Sequence, residues 1–375
     1  MKKKTIAIFT SSRAEFGTMK PLIIELKKSK IFHVLIFAGG AHLSKKYGNT
    51  IEEINKNITI TDKFDYIKND DSEHGILKSL SLAITKISNI FKKYKFDYVL
   101  IFGDRYELIS VMSNAIIYQK PILLIAGGDT TLGAIDETIR NIVSKSANLH
   151  FPASNDFANK IISFGEKKKN VFNVGMLGFD YLKKNILLEK KKIFKKYELD
   201  PNKDLVLLTL HPESINSKLD YGKIIKGIFK SLSMFDLQII CTSPNNEVNR
   251  NIIEKSIKEE IKKNKDYYYY KSLGIYNFHN LLNNSVFIIG NSSSGIMEAP
   301  FFKVPTINIG NRQKGRIRHK SIIDTSYKQE DITKAIKKVR SKAFLKGIKK
   351  MKYKLGKFNT SLKIRNIIEK YAKKN

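Results

Sequence analysis

Short apolar runs rich in β-branched residues alternate with helical-period segments along the whole chain. This is the pattern of βαβ units and of a parallel sheet buried on both faces. Residues 5–9, 34–37, 98–102 and 122–125 read as strands of a first unit, with 149–151 and 171–174 completing it and 155–164 forming a helix between those two. A Lys-rich helical stretch over 183–197 then ends in Asp200-Pro201-Asn202, the punctuation of an interdomain connection. A second series follows, with strands at 205–210, 237–241, 267–270, 286–289 and 306–309 and helices at 221–232 and 246–262. The chain thus divides into a first lobe over 1–182 and a second over 183–357, and the last helix, 358–375, is expected to return to the first. Two doubly wound α/β lobes in tandem predict a ligand cleft outside the carboxyl ends of both sheets.

Length and composition agree with that reading. The 375 residues suit two domains, and 42% hydrophobic with 27% charged residues is a globular profile. No run approaches the roughly 18 apolar residues of a membrane span. The basic start, Lys2-Lys3-Lys4, is followed by too short an apolar run for a secretory signal. A single cysteine, Cys241, makes no internal disulfide and no multi-cysteine zinc site, so a cytoplasmic location is expected.

The net charge of +33 suggests nucleic acid or an anionic polymer as partner. Lysines are spread over the whole chain, however. Their densest region, 331–375, carries about 16 Lys and Arg against 2 Asp and Glu on what reads as amphipathic helices with a basic outer face. No nucleic-acid-binding signature accompanies it, and no nucleic-acid partner is expected.

Polar and small residues gather just after the strands, where an α/β fold builds its site. After the first strand comes Thr10-Ser11-Ser12-Arg13-Ala14-Glu15-Phe16-Gly17, where Arg13 near a helix start suits a phosphate, although the turn also reads as a helix cap. Gly103-Asp104-Arg105 follows residues 98–102 in the same way. The next strand runs into Ala126-Gly127-Gly128-Asp129, and Asp136-Glu137 lie close behind. With Asp104 these acids are candidates for paired acid and base work. In the second lobe His211 ends a strand. Gly290-Asn291-Ser292-Ser293-Ser294-Gly295 then has the small, hydroxylated character of a phosphate cradle, with Glu298 one turn further as an acceptor for ribose hydroxyls. The segment has neither the Walker lysine pattern nor a dinucleotide fingerprint. Arg312 and Arg316 add cations after the next strand.

These motifs, in this order, resemble the hydrolysing UDP-N-acetylglucosamine 2-epimerases, especially the branch feeding sialic and legionaminic acid synthesis. The likeness includes His42-Leu43-Ser44 with Tyr47-Gly48-Asn49-Thr50, Leu149-His150-Phe151, His211-Pro212 and Arg312-Gln313-Lys314-Gly315-Arg316. It implies a GT-B fold of two Rossmann-like lobes, no cofactor, no metal in the chemistry, and a homodimer or higher homo-oligomer. It implies Asp104, Asp129, Asp136 and His211 as catalytic residues. Arg13, Arg105, Ser292, Ser293, Glu298 and Arg312 would be its nucleotide-binding residues. The chain departs from the family at Ala126 and Asn141, where histidine is usual, and at Asp129, where glutamate is usual. The implied reaction expels the nucleoside diphosphate, removes the sugar C2 proton to leave a glycal, and hydrates the glycal to a free manno-configured sugar. A GT-B glycosyltransferase and a basic nucleic-acid or polymer-binding protein are the competing readings.

Overall fold

The computed structural model describes residues 3–44, 50–55, 58–68, 70, 72–183, 187–213, 219–244, 247–356 and 358–374, with backbone alone at 13, 14, 53, 55, 181 and 183. The chain forms two compact units. One comprises Met1–Asp129, Asp136–Ile186 and Leu355–Asn375, the other Thr130–Ile135 and Leu187–Lys354. The sequence places the boundaries at 182 and 357, and it gives no sign that 130–135 groups with the second unit.

The first unit is built on six parallel strands: β1 (Lys4–Thr10), β2 (Phe32–Gly39), β3 (Asp62–Phe64), β4 (Tyr98–Phe102), β5 (Ile122–Ile125) and β6 (Leu149–Phe151). Their order across the sheet is β3-β2-β1-β4-β5-β6. Side chains alternate across a strand. Ile6, Ile8 and Leu100 therefore enter one core with Met19, Leu22 and Leu26 of the helix Arg13–Lys27, whereas Ala7, Phe9, Val99 and Ile101 enter the opposite one with Ile87 and Phe91 of the helix Glu73–Lys93. Both faces are covered, so these strands read as unbroken apolar runs, each large aliphatic contributing about 1.5–3 kcal/mol on burial. The last helix, Thr360–Lys374, buries Ile364 and Ile368 in the first of those cores. Asp180 satisfies its buried amino end by accepting from the backbone N–H groups of Thr360 and Ser361.

The second unit repeats the plan with β7 (Asp204–Thr209), β8 (Leu237–Thr242), β9 (Tyr267–Tyr270), β10 (Ser285–Gly290), β11 (Thr306–Ile309) and β12 (Ile322–Thr325), ordered β12-β11-β10-β7-β8-β9. Val206 and Leu208 face one core, Leu205 and Leu207 the other. Residues 130–135 join this unit through the Leu132 N–H, which donates to the Lys314 carbonyl at 2.8 Å, and the Arg316 Nε, which donates to Thr131 Oγ1 at 3.0 Å.

Three expectations are corrected. Residues 171–174 form no strand: a bridge between His150 and Val171 is all the ladder they make. The helix expected over 183–197 is confined to Lys190–Lys196, after a 3-10 segment Leu177–Lys183, and the one expected over 246–262 to Arg250–Ile261. Residues 184–186, 214–218 and 245–246, most of Tyr47-Gly48-Asn49-Thr50, and the Arg13 side chain lie outside what the structure describes. No helix among the described residues is long and apolar enough to cross a membrane.

Candidate active site

In an open parallel sheet the loops at the point where strand order reverses diverge and leave a crevice. In the first sheet that point lies between β1 and β4. After β1, Ser12 caps the helix Arg13–Lys27, its Oγ accepting from the Glu15 N–H at 3.4 Å, while the Ser11 N–H donates to Glu15 Oε2 at 3.0 Å. This is a reciprocal cap of the capping-box kind. Burial pushes the Glu15 carboxyl up to about 8; the Ser11 N–H opposes that, Glu107 adds to it and Arg105 opposes it. His42 bridges Thr10 Oγ1 at 3.1 Å and Thr50 Oγ1 at 2.8 Å, and burial lowers it to about 4, so it stands neutral and braces the turn.

After β4, Asp104 is gripped by Arg140, whose side chain is 1% exposed. Arg140 comes from the helix Asp136–Ser146. Its Nη1 also donates to the Asp129 carbonyl at 3.1 Å and to Glu137 Oε2 at 3.0 Å. Lys160 adds a second cation, reaching the Asp129 carbonyl at 3.0 Å and Glu137 Oε1 at 2.7 Å. Burial works against the Arg140 charge, but Asp104, Asp129 and Glu137 outweigh it and hold the guanidinium above its ordinary pKa. Asp104, the Asp129 backbone and Glu137 thus share one cationic centre, and Asp136 opens the helix that carries it. Asn141, one residue on, donates to Glu137 Oε1 at 3.5 Å.

In the second sheet the reversal lies between β7 and β10. Gly290 has φ +132, and a Cβ there would stand 2.0 Å from the Thr209 carbonyl, so the strands meet too closely for any side chain. Asn291 then ties the two loops together: its Oδ1 accepts from the His211 N–H at 2.7 Å and its Nδ2 donates to the His211 carbonyl at 2.9 Å. Gln313 Nε2 donates to the Asn291 carbonyl at 2.8 Å. Two residues past His211, buried Glu213 collects on Oε1 the N–H groups of Asn311 at 2.8 Å and Arg312 at 3.0 Å and the Tyr327 hydroxyl. Burial and the neighbouring carboxylate raise the Tyr327 phenol. The Arg312 guanidinium donates to the Pro212 carbonyl at 3.2 Å and to Glu247 Oε1 at 3.1 Å. Ser292 caps the short helix Ser293–Met297, and Glu298 closes it.

The structure therefore brings Asp104 and Asp129 to Arg140 in the first unit, and His211 and Arg312 to one hydrogen-bonded frame in the second, with Ser292, Ser293 and Glu298 on the adjoining loop. Arg105 is engaged by Glu107, its Nη2 donating at 2.8 Å. Sequence reasoning assigns no part to Arg140, Lys160, Glu213 or His279. Arg140 stands four residues after Asp136, on the same helix face. Glu213 stands two residues after His211. Among the described residues no three His, Cys, Asp or Glu side chains are grouped to hold a metal ion.

Two tandem six-stranded Rossmann-like units define a chain of the GT-B class. Its fold is similar to that of the UDP-N-acetylglucosamine 2-epimerase from Neisseria meningitidis solved with UDP-N-acetylglucosamine, with TM-score 0.82 at 18% identity over 99% of this chain and 100% of that one. The model of the UDP-N-acetylglucosamine 2-epimerase family matches residues 24–369. The chain is 38% identical, over 92% of its length and 89% of the relative's, to the hydrolysing GDP/UDP-N,N'-diacetylbacillosamine 2-epimerase of Campylobacter jejuni. It is 31% identical, over 99% and 95%, to the polysialic acid biosynthesis protein P7 of Escherichia coli. The chain belongs to the UDP-N-acetylglucosamine 2-epimerase family.

Proposed function

We propose that this hydrolysing nucleotide-sugar 2-epimerase acts on a nucleoside-diphosphate-linked N,N'-diacetylbacillosamine, releasing the free 2-epimer and the nucleoside diphosphate. The observation that carries the reaction class is Arg140 holding Asp104 beside the Asp129 backbone and Glu137, in a chain of this family. The sugar is proposed from the 38% identity to the diacetylbacillosamine enzyme, with UDP-N-acetylglucosamine as the second candidate.

The C2 proton of an intact sugar is not acidic, so departure of the diphosphate leads. The C1–O bond breaks with its electron pair going to the diphosphate, and positive charge grows at C1. A carboxylate then takes the C2 proton, leaving a C1=C2 double bond; such general-base assistance is worth about 10²–10⁴ in rate. Water adds at C1 while a proton is returned to C2 on the opposite face, which inverts that centre. Asp104, with Asp129 and Asp136, supplies the carboxylates for the proton steps, and Arg140 fixes Asp104. Ser292 and Ser293 donate hydrogen bonds to the departing diphosphate and Arg312 offsets its charge, with Arg13 and Arg105 as further cations for it and His211 as a further catalytic group.

We place the protein in the cytoplasm, a reading supported by its buried free thiol, Cys241. We also propose a homodimer. Leu77 and Ile84, 62% and 36% exposed and seven residues apart on the helix Glu73–Lys93, offer an apolar stripe that a second copy would cover.

Incubation with UDP-N-acetylglucosamine and with UDP- and GDP-linked diacetylbacillosamine, without any acceptor, tests the assignment. Release of nucleoside diphosphate at least about tenfold faster, in kcat/KM, from a diacetamido substrate supports it. Preference for UDP-N-acetylglucosamine overturns the sugar assignment, and no release until an acceptor is added turns the reading to a transferase.

A further inference from the structure

Glu298 follows the short helix Ser293–Met297, and its side chain is 21% exposed, within reach of a ligand. A glutamate so placed has three rotatable bonds and no fixed aim of its own. Its aim is set from the neighbouring helix, Gly274–Asn283, which brings His279 Nε2 to 2.6 Å from Glu298 Oε2. A carboxylate only accepts, so this imidazole nitrogen carries the proton and donates it. The imidazole is fully buried, with the Phe302 ring 5.2 Å and the Phe278 ring 6.0 Å away, which leaves it no room to turn. The other oxygen, Oε1, accepts from Ser294 Oγ at 3.4 Å.

Both oxygens of one carboxylate are thus held, each by one donor. A carboxylate offers about four acceptor positions, two on each oxygen. One position on each oxygen remains, the acceptor pattern that matches two neighbouring hydroxyls of a cis-diol. The ribose of a nucleoside diphosphate presents such a diol whichever base it carries. We propose that His279 is a positioning residue that locks the Glu298 carboxylate in the orientation that accepts both ribose hydroxyls, so that His279 sets discrimination between ribo- and 2'-deoxyribonucleotides. The proposal rests on the reading of Glu298 as a nucleotide-binding residue.

The test measures, by calorimetry on the full chain, binding of UDP and GDP and of their 2'-deoxy counterparts to the wild type and to His279→Leu, His279→Gln and Glu298→Gln. For the tighter-binding nucleotide, the wild type is expected to favour the ribo form by about tenfold, the scale of a hydrogen bond to a charged group. His279→Leu brings that ratio close to one and raises KM by about tenfold, while kcat at saturation stays within about twofold. His279→Gln, which keeps an N–H donor, recovers part of the ratio. A purely structural role for His279 would lower stability without moving the ratio. If His279→Leu fails to fold, His279→Phe, which fills the space without an N–H donor, carries the test, and a ratio equal to the wild type's there counts against the proposal. The two levels separate cleanly. A wild-type ratio retained in Glu298→Gln overturns the underlying nucleotide reading. A ratio lost in Glu298→Gln but retained in the His279 variants overturns the positioning role alone.

Discussion

Arg140 meets Asp104 from inside the protein. The guanidinium is almost wholly buried, and it also serves the Asp129 carbonyl and Glu137, which Lys160 reaches as a second cation. Breaking a buried pair by removing one partner leaves the other charge uncompensated, at about 3–5 kcal/mol. Arg140→Ala should therefore lower stability by about 3 kcal/mol in urea unfolding, since Asp104 and Glu137 keep some contact with water. Arg140→Lys keeps the charge but loses the fork that reaches three acceptors. It should fold, with kcat reduced by about 10²-fold. Wild-type turnover in Arg140→Lys would remove Arg140 from the account.

Glu15 and His42 give the fold a pH signature with opposite signs. The folded chain keeps the Glu15 proton up to about pH 8, whereas the ordinary value is 4.5, so unfolding releases a proton between those limits. Its contribution to stability falls as pH rises through that window and is flat above it. His42 is held down to about 4 from 6.5, so its contribution is present above 6.5 and is lost as pH falls toward 4. Melting temperatures from pH 5 to 9 should fall more steeply toward pH 8 in the wild type than in Glu15→Gln, which keeps the acceptor for the Ser11 N–H. Parallel curves would mean that Glu15 titrates alike in both states.

Ala126 and Gly290 both have positive φ but predict opposite outcomes. Ala126 sits at φ +63, a left-handed conformation that costs an L-residue about 1–2 kcal/mol. Glycine removes that cost and adds about 0.4–1 kcal/mol of unfolded-state entropy. Ala126→Gly should therefore gain about 0.5 kcal/mol in denaturant unfolding. At Gly290 a Cβ would collide with the Thr209 carbonyl. Gly290→Ala should lose several times as much as Ala126→Gly gains, and nucleotide binding with it, because β7 and β10 must separate.

Glu213 carries the Arg312 loop on one carboxylate oxygen. Glu213→Ala leaves two backbone N–H groups and the Tyr327 hydroxyl without their acceptor, at about 1–3 kcal/mol for each group left unsatisfied. Nucleoside diphosphate binding should weaken by about tenfold or more, while Tyr327→Phe, losing one bond of the three, should weaken it by less. Calorimetry on the two variants gives the order, and equal affinities would show that Arg312 does not depend on this anchor.

The two-lobe plan and the site loops were legible because strands buried on both faces are unbroken apolar runs, and because small polar residues must follow them for a ligand to approach. The elements missed are those whose pattern is weak. β3 is three residues with Phe64 as its one apolar member, and β12 is an edge strand ending in Asp324-Thr325. Residues 171–174 have strand-like composition, but the Phe172 and Val174 N–H groups bond to His150 and Pro152 carbonyls without extending the ladder beyond one bridge. Arg140 and His279 were illegible for another reason. In a chain with 68 Lys and Arg, one more arginine on a helix reads as surface, and only the packing shows that it is buried against acids.

The central claim is that turnover breaks the C2–H bond and that C2 is reprotonated from solvent on the opposite face. Proton NMR of the full chain with UDP-linked diacetylbacillosamine in deuterated water reads this directly. The account predicts free nucleoside diphosphate and a released 2-epimer with deuterium at C2, lost in Asp104→Asn. A released sugar that keeps its C2 proton and its original configuration would contradict it.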